Sequence, residues 1–417
     1  MVIETASEAL DAAAIERITS ERDEPAWLGE LRRTWWERAA VAGWPTGQEE
    51  EWRRTSLGGM PRDGELLLVP PPTAHTLDES AIRAGVIFTD LSSAVRDHPD
   101  LVRAHLGGRE ILPAQAGVWA RSLAGWTGGS FLHVPANVEL DDVLTVRTEL
   151  RAGRFSYLPH TLIVADRGAS VTVLDEVRSP DGHPIWFGGT TEIVAGEGSQ
   201  VRYAQLQWLG DAAWRIGAQR VEVGRDATVT TLDAEVGSAV AKVGLDVQMT
   251  GQGGTSRLLG LLAAGASQHI DINSLQDLVG SHTTSDLLYL SALYDEARAA
   301  FYGVTKVESQ AKGTSSYQEC RNLLLSPKAG AEPIPVLEIE TNDILRCGHG
   351  ATAGAIDPIQ RFYAQSRGMN EDDAERMIVR GFFEQVLAQI HSETIRSRVL
   401  EALAERIGAD PFAEAVA

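Results

Sequence analysis

A short pattern recurs through the middle of the chain and limits what the chain can fold into. A charged residue is followed by small residues and then by a β-branched run. It occurs as Arg167-Gly168-Ala169-Ser170-Val171, as Glu197-Gly198-Ser199-Gln200-Val201 and as Arg225-Asp226-Ala227-Thr228-Val229, about thirty residues apart. Gln252-Gly253-Gly254-Thr255 and Asp295-Glu296-Ala297-Arg298 are weaker echoes. Such a period belongs to stacked architectures, in which each unit buries its apolar face on its neighbours. Short β-rich runs fill the intervals, among them residues 160–164, 171–174 and 191–194. No long amphipathic helix interrupts the regular part, which argues against β-α-β crossovers. A parallel β-helix satisfies these observations. A jelly roll or sandwich is the rival on pattern alone.

The flanks have another texture. Residues 1–128 read as a mostly helical region, 129–355 as the β-helix core and 356–417 as a C-terminal helical region. Trp27, Leu28, Leu31, Trp35 and Trp36 recur at helical steps after Pro25, and Gly43-Trp44-Pro45 ends the stripe. With Trp52, five of the ten tryptophans fall here, as a small helical core in need of large side chains would have it. Near the other end, Asn370 can cap a helix whose first turn carries Glu371, Asp372 and Asp373. Ala374, Met377, Ile378, Phe382, Val386 and Ile390 continue its stripe, and a second helix is expected from Glu393 to Ile407.

The formal net charge is −21. Acidity of this size argues against nucleic acid or an anionic membrane as the main partner, since both need clustered Lys and Arg. There is no apolar run of membrane-spanning length, and the N-terminus is acidic, without the basic and apolar parts of a signal peptide. The expected location is the cytoplasm, where two cysteines would be free thiols.

Both cysteines, Cys320 and Cys347, fall in one segment, and His349 lies two residues beyond the second. The thiols are 27 residues apart, close to the repeat spacing, which would put them on adjacent coils near one edge of the stack. On a strand His349 shares a face with Cys347. Up to two thiolates and an imidazole would then be gathered, with Glu338, Glu340 or Asp343 as nearby carboxylates. Donors of this kind suit iron, zinc and sulfur chemistry. The plainer alternative is a buried structural cysteine beside a structural histidine. Between the thiols, residues 335–340 read as a strand, with apolar Val336 and Ile339 near acidic Glu338 and Glu340. The lack of a C-x-x-C pair excludes a zinc ribbon or a permanent four-cysteine cluster. His269, Asp271 and His282 share another segment and read as polar residues of an exposed β-face rather than as metal ligands. Gly251-Gln252-Gly253-Gly254 reads as a turn, and neither a Walker-type lysine loop nor a nucleophile elbow occurs.

The run YQECRNLLLSPKAGAEPIPVLEIETNDILRCGHGATAGAID, from Tyr317 to Asp357, is followed by FYAQSRGMNEDDAERMIVRGF. Together they resemble the SufB/SufD family of iron–sulfur cluster assembly proteins. PAWLGELRRTWW and EEEWRRTSL are similar to the helical N-terminal region of SufD. His349-Gly350-Ala351-Thr352 is also SufD-like, where SufB typically reads His-Glu-Ala-Thr. The resemblance implies a right-handed parallel β-helix core flanked by N- and C-terminal helical regions. It implies a non-catalytic scaffold subunit, paired with a SufB-type subunit through the β-helix and with a SufC-type ATPase through the C-terminal helices. A transient iron–sulfur cluster is then expected at the SufB–SufD interface. His349 matches the SufD histidine implicated there and Cys347 its neighbouring cysteine, so these two are the implied metal ligands. Cys320 falls where SufB carries its sulfur-accepting cysteine. Departures are Ala311-Lys312-Gly313-Thr314, where the family often reads Ala-Gln-Lys-Thr, and Tyr289-Leu290-Ser291 in place of a Lys-Gly step. Gly350 leaves this subunit without the carboxylate that SufB places beside the histidine. The other assembly to consider is a homodimer. Other function classes are a β-helix carbohydrate-active enzyme and a purely structural subunit with no ligand residue.

Overall fold

The computed structural model describes residues 10–107 and 116–407; the first residues of the acidic N-terminus and the last of the C-terminal region lie outside them. The N-terminal part contains α1 (Ala12–Glu21), α2 (Ala26–Ala42), a single 3-10 turn (Glu50–Trp52), β1 (Glu65–Leu66), α3 (Glu79–Arg83), β2 (Ile87–Asp90), α4 (Leu91–Asp97), α5 (Pro99–His105) and α6 (Ala116–Gly125). The first strands of the core are β3 (Ser130–Val134), β4 (Glu139–Glu149), β5 (Phe155–Tyr157), β6 (His160–Ala165), β7 (Ser170–Arg178), β8 (Ile185–Phe187) and β9 (Thr190–Ala195). Next come β10 (Gln200–Trp208), β11 (Trp214–Val223), β12 (Thr228–Glu235), β13 (Val240–Met249), β14 (Thr255–Ala264) and β15 (His269–Leu278). The core ends with β16 (Thr284–Leu293), β17 (Arg298–Val307), β18 (Thr314–Leu324), β19 (Gly330–Ile339) and β20 (Ile344–Ala355). Three helices follow: α7 (Pro358–Ser366), α8 (Glu371–Leu387) and α9 (Glu393–Ile407).

From β10 onward the chain alternates between two sheets, one strand in each per coil. An eight-stranded sheet has the order β4-β7-β10-β12-β14-β16-β18-β20. The larger sheet runs β3-β6-β9-β11-β13-β15-β17-β19, its first edge closed by antiparallel β2 and its flank carrying β1, β5 and β8. The ladders within the stack are parallel and largely in register. The fold is the expected parallel β-helix between helical regions, and the parallel ladders remove the sandwich.

The repeat seen in the sequence is a stacked turn. Gly168, Gly198, Asp226, Gly253, His282 and Gly313 all have positive φ, from 52° to 74°. Glycine adopts this conformation without strain, and aspartate tolerates it. Each turn is tied to the next coil through its backbone. Gly168 N–H donates to Glu197 O at 2.8 Å, Gly198 to Arg225 O at 2.8 Å and Asp226 to Gln252 O at 2.9 Å. The series continues from Gly253 to Ser281 O, from His282 to Lys312 O and from Gly313 to Asp343 O. His282 is therefore a turn residue. The echo at Asp295 is a similar turn (φ 51°) leading into the larger sheet.

Inside the stack, Val, Leu and Ile from both sheets form one continuous core, including Val201, Val229, Val243, Leu245, Leu258 and Ile272. Each fully buried side chain of this kind stabilises by roughly 1.5–3 kcal/mol relative to exposure. On the outer face of the eight-stranded sheet, the C-terminal half of the strands is covered by α8 and α9. Leu206, Leu232, Leu261 and Leu290 meet Val379, Phe383, Val386, Leu387, Val399 and Leu403 there. Asn370 caps α8 by accepting from Asp373 N–H at 2.8 Å. Fully buried Glu176 on β7 holds α9 in place by pairing with Arg398, and with Arg147 of β4 at 3.2 Å.

The N-terminal helices form the tryptophan-rich core that the sequence suggested. Trp35 and Trp52 are buried with Ile15, Ile18 and Leu123, and partly buried Trp36 and Trp44 pack on them. One expectation is corrected. Asp271 is buried, and His269 is largely covered. The segment around Trp52 lies across the outer face of the larger sheet. Thr55 Oγ1 donates to Asp271 Oδ2 at 2.5 Å and lies 2.9 Å from His269 Nε2, while Lys242 Nζ pairs with Asp271 at 2.7 Å. These residues latch the N-terminal segment to the stack.

Candidate functional site at the open end of the β-helix

Inward side chains of parallel, in-register strands stack in columns. One column of the eight-stranded sheet passes through Val201, Val229, Ser256, Ser285 and Ser316 and ends at Cys347. The next passes through Tyr203, Thr231, Leu258, Leu287 and Gln318 and ends at His349. A third passes through Gln205, Asp233, Gly260, Tyr289 and Cys320 and ends at Ala351. Cys347 and His349 thus occupy the last coil, and Cys320 lies one coil below it.

The two thiols share a face of adjacent strands but stand four residues out of register. At about 3.3 Å per residue this separates them by about 13 Å along the strand. A disulfide cannot span that distance, nor can one metal ion take both as ligands. His349 is nearer to each: two residues from Cys347 on one strand, and on the diagonal from Cys320 with about 8 Å between Cα atoms. The structure brings His349 to Cys347 and does not gather both thiols with it. Glu338 is exposed and stands opposite Lys306, in the register row that alternates with the inward one. Glu340 and Asp343 are exposed too. Val336 and Ile339, paired in the sequence reading, fall on opposite faces of β19, because their spacing is odd. Among the described residues, no group of three or more His, Cys, Asp or Glu side chains could hold a metal ion.

The three residues differ in environment. Cys320 is 4% exposed, and burial pushes its pKa up to about 12, partly opposed by Asn322 Nδ2 donating to Sγ at 3.6 Å. Its resting form is the neutral thiol. Cys347 is half-buried, and burial raises its pKa as well. His349 is exposed. One residue was missed by the sequence reading. Gln318, beneath His349, is buried, and neither end of its amide has a hydrogen-bond partner among the described residues. A Cβ at Gly303 would lie 2.2 Å from Gln318 Nε2, so the glycine makes room for this amide. An unpaired buried amide costs roughly 1–3 kcal/mol and calls for an explanation. Its signal was the alternation Gln318–Cys320 along one inward row.

The surroundings explain why inward residues are exposed here. Among the described residues, no strand pairs with the outer edges of β19 and β20. Ile339, in an inward row, is 42% exposed, and Leu345 is 78% exposed. Pro333 and Pro335 remove two N–H donors from β19, a feature tolerated on edge strands. β20 is twelve residues long, has no proline and is unprotected.

A family model described as "SUF system FeS cluster assembly, SufBD core domain" matches residues 148–382, more than half of the chain. An iron–sulfur cluster assembly SufBD family protein of Staphylococcus epidermidis is 27% identical over 321 residues, covering 76% of this chain and 68% of that protein. The iron–sulfur cluster assembly protein SufB of Bacillus subtilis is 27% identical over 320 residues, with the same two coverages of 76% and 68%. The matched residues run from the early coils through the last coil into α8. The chain belongs to the SufBD family of iron–sulfur cluster assembly scaffold proteins.

Proposed function

We propose that the chain is a SufD-type subunit, whose open β-helix end pairs with a SufB-type subunit and whose C-terminal helices receive a SufC-type ATPase. The observation that carries this reading is the uncovered last coil, where an unprotected strand, an exposed imidazole and a half-buried thiol meet. One half of a site stands at this edge: His349 and Cys347 from this chain, the remaining donors from the partner. A nascent cluster is cargo here. Few donors, divided between two subunits, hold it loosely and release it when the subunits move, whereas four thiolates on one chain would retain it. Gly350 offers no carboxylate, so the partner supplies any oxygen ligand. In this reading residues 1–128 brace the stack, 129–355 present the site and 356–417 act as the lever for the ATPase. Ile359, Phe362 and Tyr363 on α7 support the last part. They follow helical spacing and are 74%, 71% and 59% exposed, an apolar face with nothing over it among the described residues.

The test is an anaerobic reconstitution with SufB-type and SufC-type proteins, read by light scattering after gel filtration. Leu345→Lys should abolish pairing with the SufB-type subunit, and Phe362→Glu should release the ATPase while leaving that pair intact. An unchanged ternary complex with both variants would overturn the proposal. A species of twice the chain's mass, formed without partners and lost with Leu345→Lys, would assign the open edge to a homodimer instead.

A further inference from the structure

A groove of about 130 Å³ lies far from the open end, between the outer face of the eight-stranded sheet and the turn joining α8 to α9. Its size is close to that of a cavity that holds one benzene-sized group. The helices cover only the C-terminal half of the strands, where the outward rows are Leu and Ala. The outward row beside them is polar and uncovered. Across neighbouring strands it reads Thr172, Arg202, Thr230 and Arg257 in one line of register.

The chemistry of this line is specific. In a chain of net charge −21, no Asp or Glu is among the lining residues, and both formal charges there are positive. Asp286 continues the row one strand further on, outside the groove. Arg202 makes one long hydrogen bond, to Gln200 Oε1 at 3.4 Å, and Arg257 makes none among the described residues. Thr172 and Thr230 flank Arg202 in register, and their hydroxyls have no hydrogen-bond partner among the described residues. His391, on the turn, lines the opposite wall. Two strand spacings put the two arginine Cα atoms about 10 Å apart, close enough for two long side chains to converge on one group. Leu232, Leu259, Ile390 and Ile395 provide an apolar wall next to these donors.

We infer that this groove binds a small organic phosphate: the phosphate between Arg202 and Arg257 with the threonine hydroxyls, and the apolar part under the α8–α9 turn. Forked guanidinium donors and hydroxyls match the many acceptor oxygens of a phosphate group better than a single carboxylate. A ligand in this place would tie the turn at residues 389–392 to the sheet and stiffen the C-terminal helices. The inference does not depend on the proposed function, since it uses neither the open end nor α7.

Phenyl phosphate is the probe, titrated into the full chain at low salt by calorimetry, with inorganic phosphate in parallel. Saturable binding is expected for phenyl phosphate, weaker for inorganic phosphate. The double variant Arg202→Gln/Arg257→Gln should weaken it at least about tenfold. Arg103→Gln, on α5 beside the larger sheet, should leave it unchanged. Hydrogen exchange should slow at residues 389–392 on binding to the parent and not to the double variant, whose fold is checked by circular dichroism. No saturation up to about 10 mM would overturn the inference, as would equal affinity for the two anions or unchanged affinity in a folded double variant.

Discussion

At the residue scale, burial separates two cysteines that the sequence presents as equals. Cys320 is enclosed beneath the last coil and kept as a thiol, whereas Cys347 is reachable from the open end. Iodoacetamide at about pH 8 should therefore modify Cys347 at least tenfold faster than Cys320, read by peptide mass mapping. Equal rates would contradict the placement of the two thiols. A second residue prediction concerns Asp233. Burial raises its pKa, against the opposing hydrogen bond from Tyr289 Oη at 2.5 Å, the charge of Arg215 and the hydrogen bond from Gln219. The folded state keeps this proton at pH values where the unfolded chain has lost it. The stabilisation is thus full below the ordinary carboxylate pKa and is lost as pH rises through the folded value. Asp233→Asn does not titrate, so the urea midpoint of the variant minus that of the parent should climb as pH rises above the ordinary carboxylate pKa. A constant difference would show that Asp233 is ionised in the fold. Neither environment was legible in the sequence, because the depth of an inward row depends on how many coils lie beyond it. His349 and Cys347 could be placed on one face from spacing alone. The distance from Cys347 to Cys320 could not, since it depends on register.

At the scale of elements, the turns carry the regularity. Gly198 has φ +67°, and no atom lies within 4 Å of where a Cβ would stand. Gly198→Val should then cost the conformational penalty alone, about 1–2 kcal/mol by urea unfolding. A neutral result would contradict the left-handed turn. These turns were legible because their chemistry is local: a flexible or αL-tolerant residue beside small ones, once per coil. The helix ends near Asn370, Glu393 and Ile407 were legible for the same reason. The latch of Thr55 on His269 and Asp271 was not, because its partners are more than 200 residues apart in the chain. The 3-10 turn at Glu50–Trp52 was equally hidden; it is held by packing of Trp52 and by Lys242, whose ammonium lies 5.2 Å from the indole.

At the scale of the molecule, the two ends of the stack differ. Antiparallel β2 and the N-terminal helices cover the first strands of the larger sheet, while β19 and β20 end the stack with open edges. A long edge strand without proline or lysine protection is a template for pairing with another chain. The spacing suggested adjacent coils for Cys320 and Cys347 but could not show that the second of these coils is the end of the stack. The interior beneath it is polar, and Gln318 there has no hydrogen-bond partner for its amide among the described residues. The central claim is that His349 is a ligand in a site completed by a partner. Iron and acid-labile sulfide bound by the anaerobically reconstituted complex test it most directly, with the parent chain compared with His349→Ala. A variant complex of unchanged composition should form, with its cluster content several-fold lower; unchanged iron and sulfide in the intact variant complex would contradict a ligand role for His349.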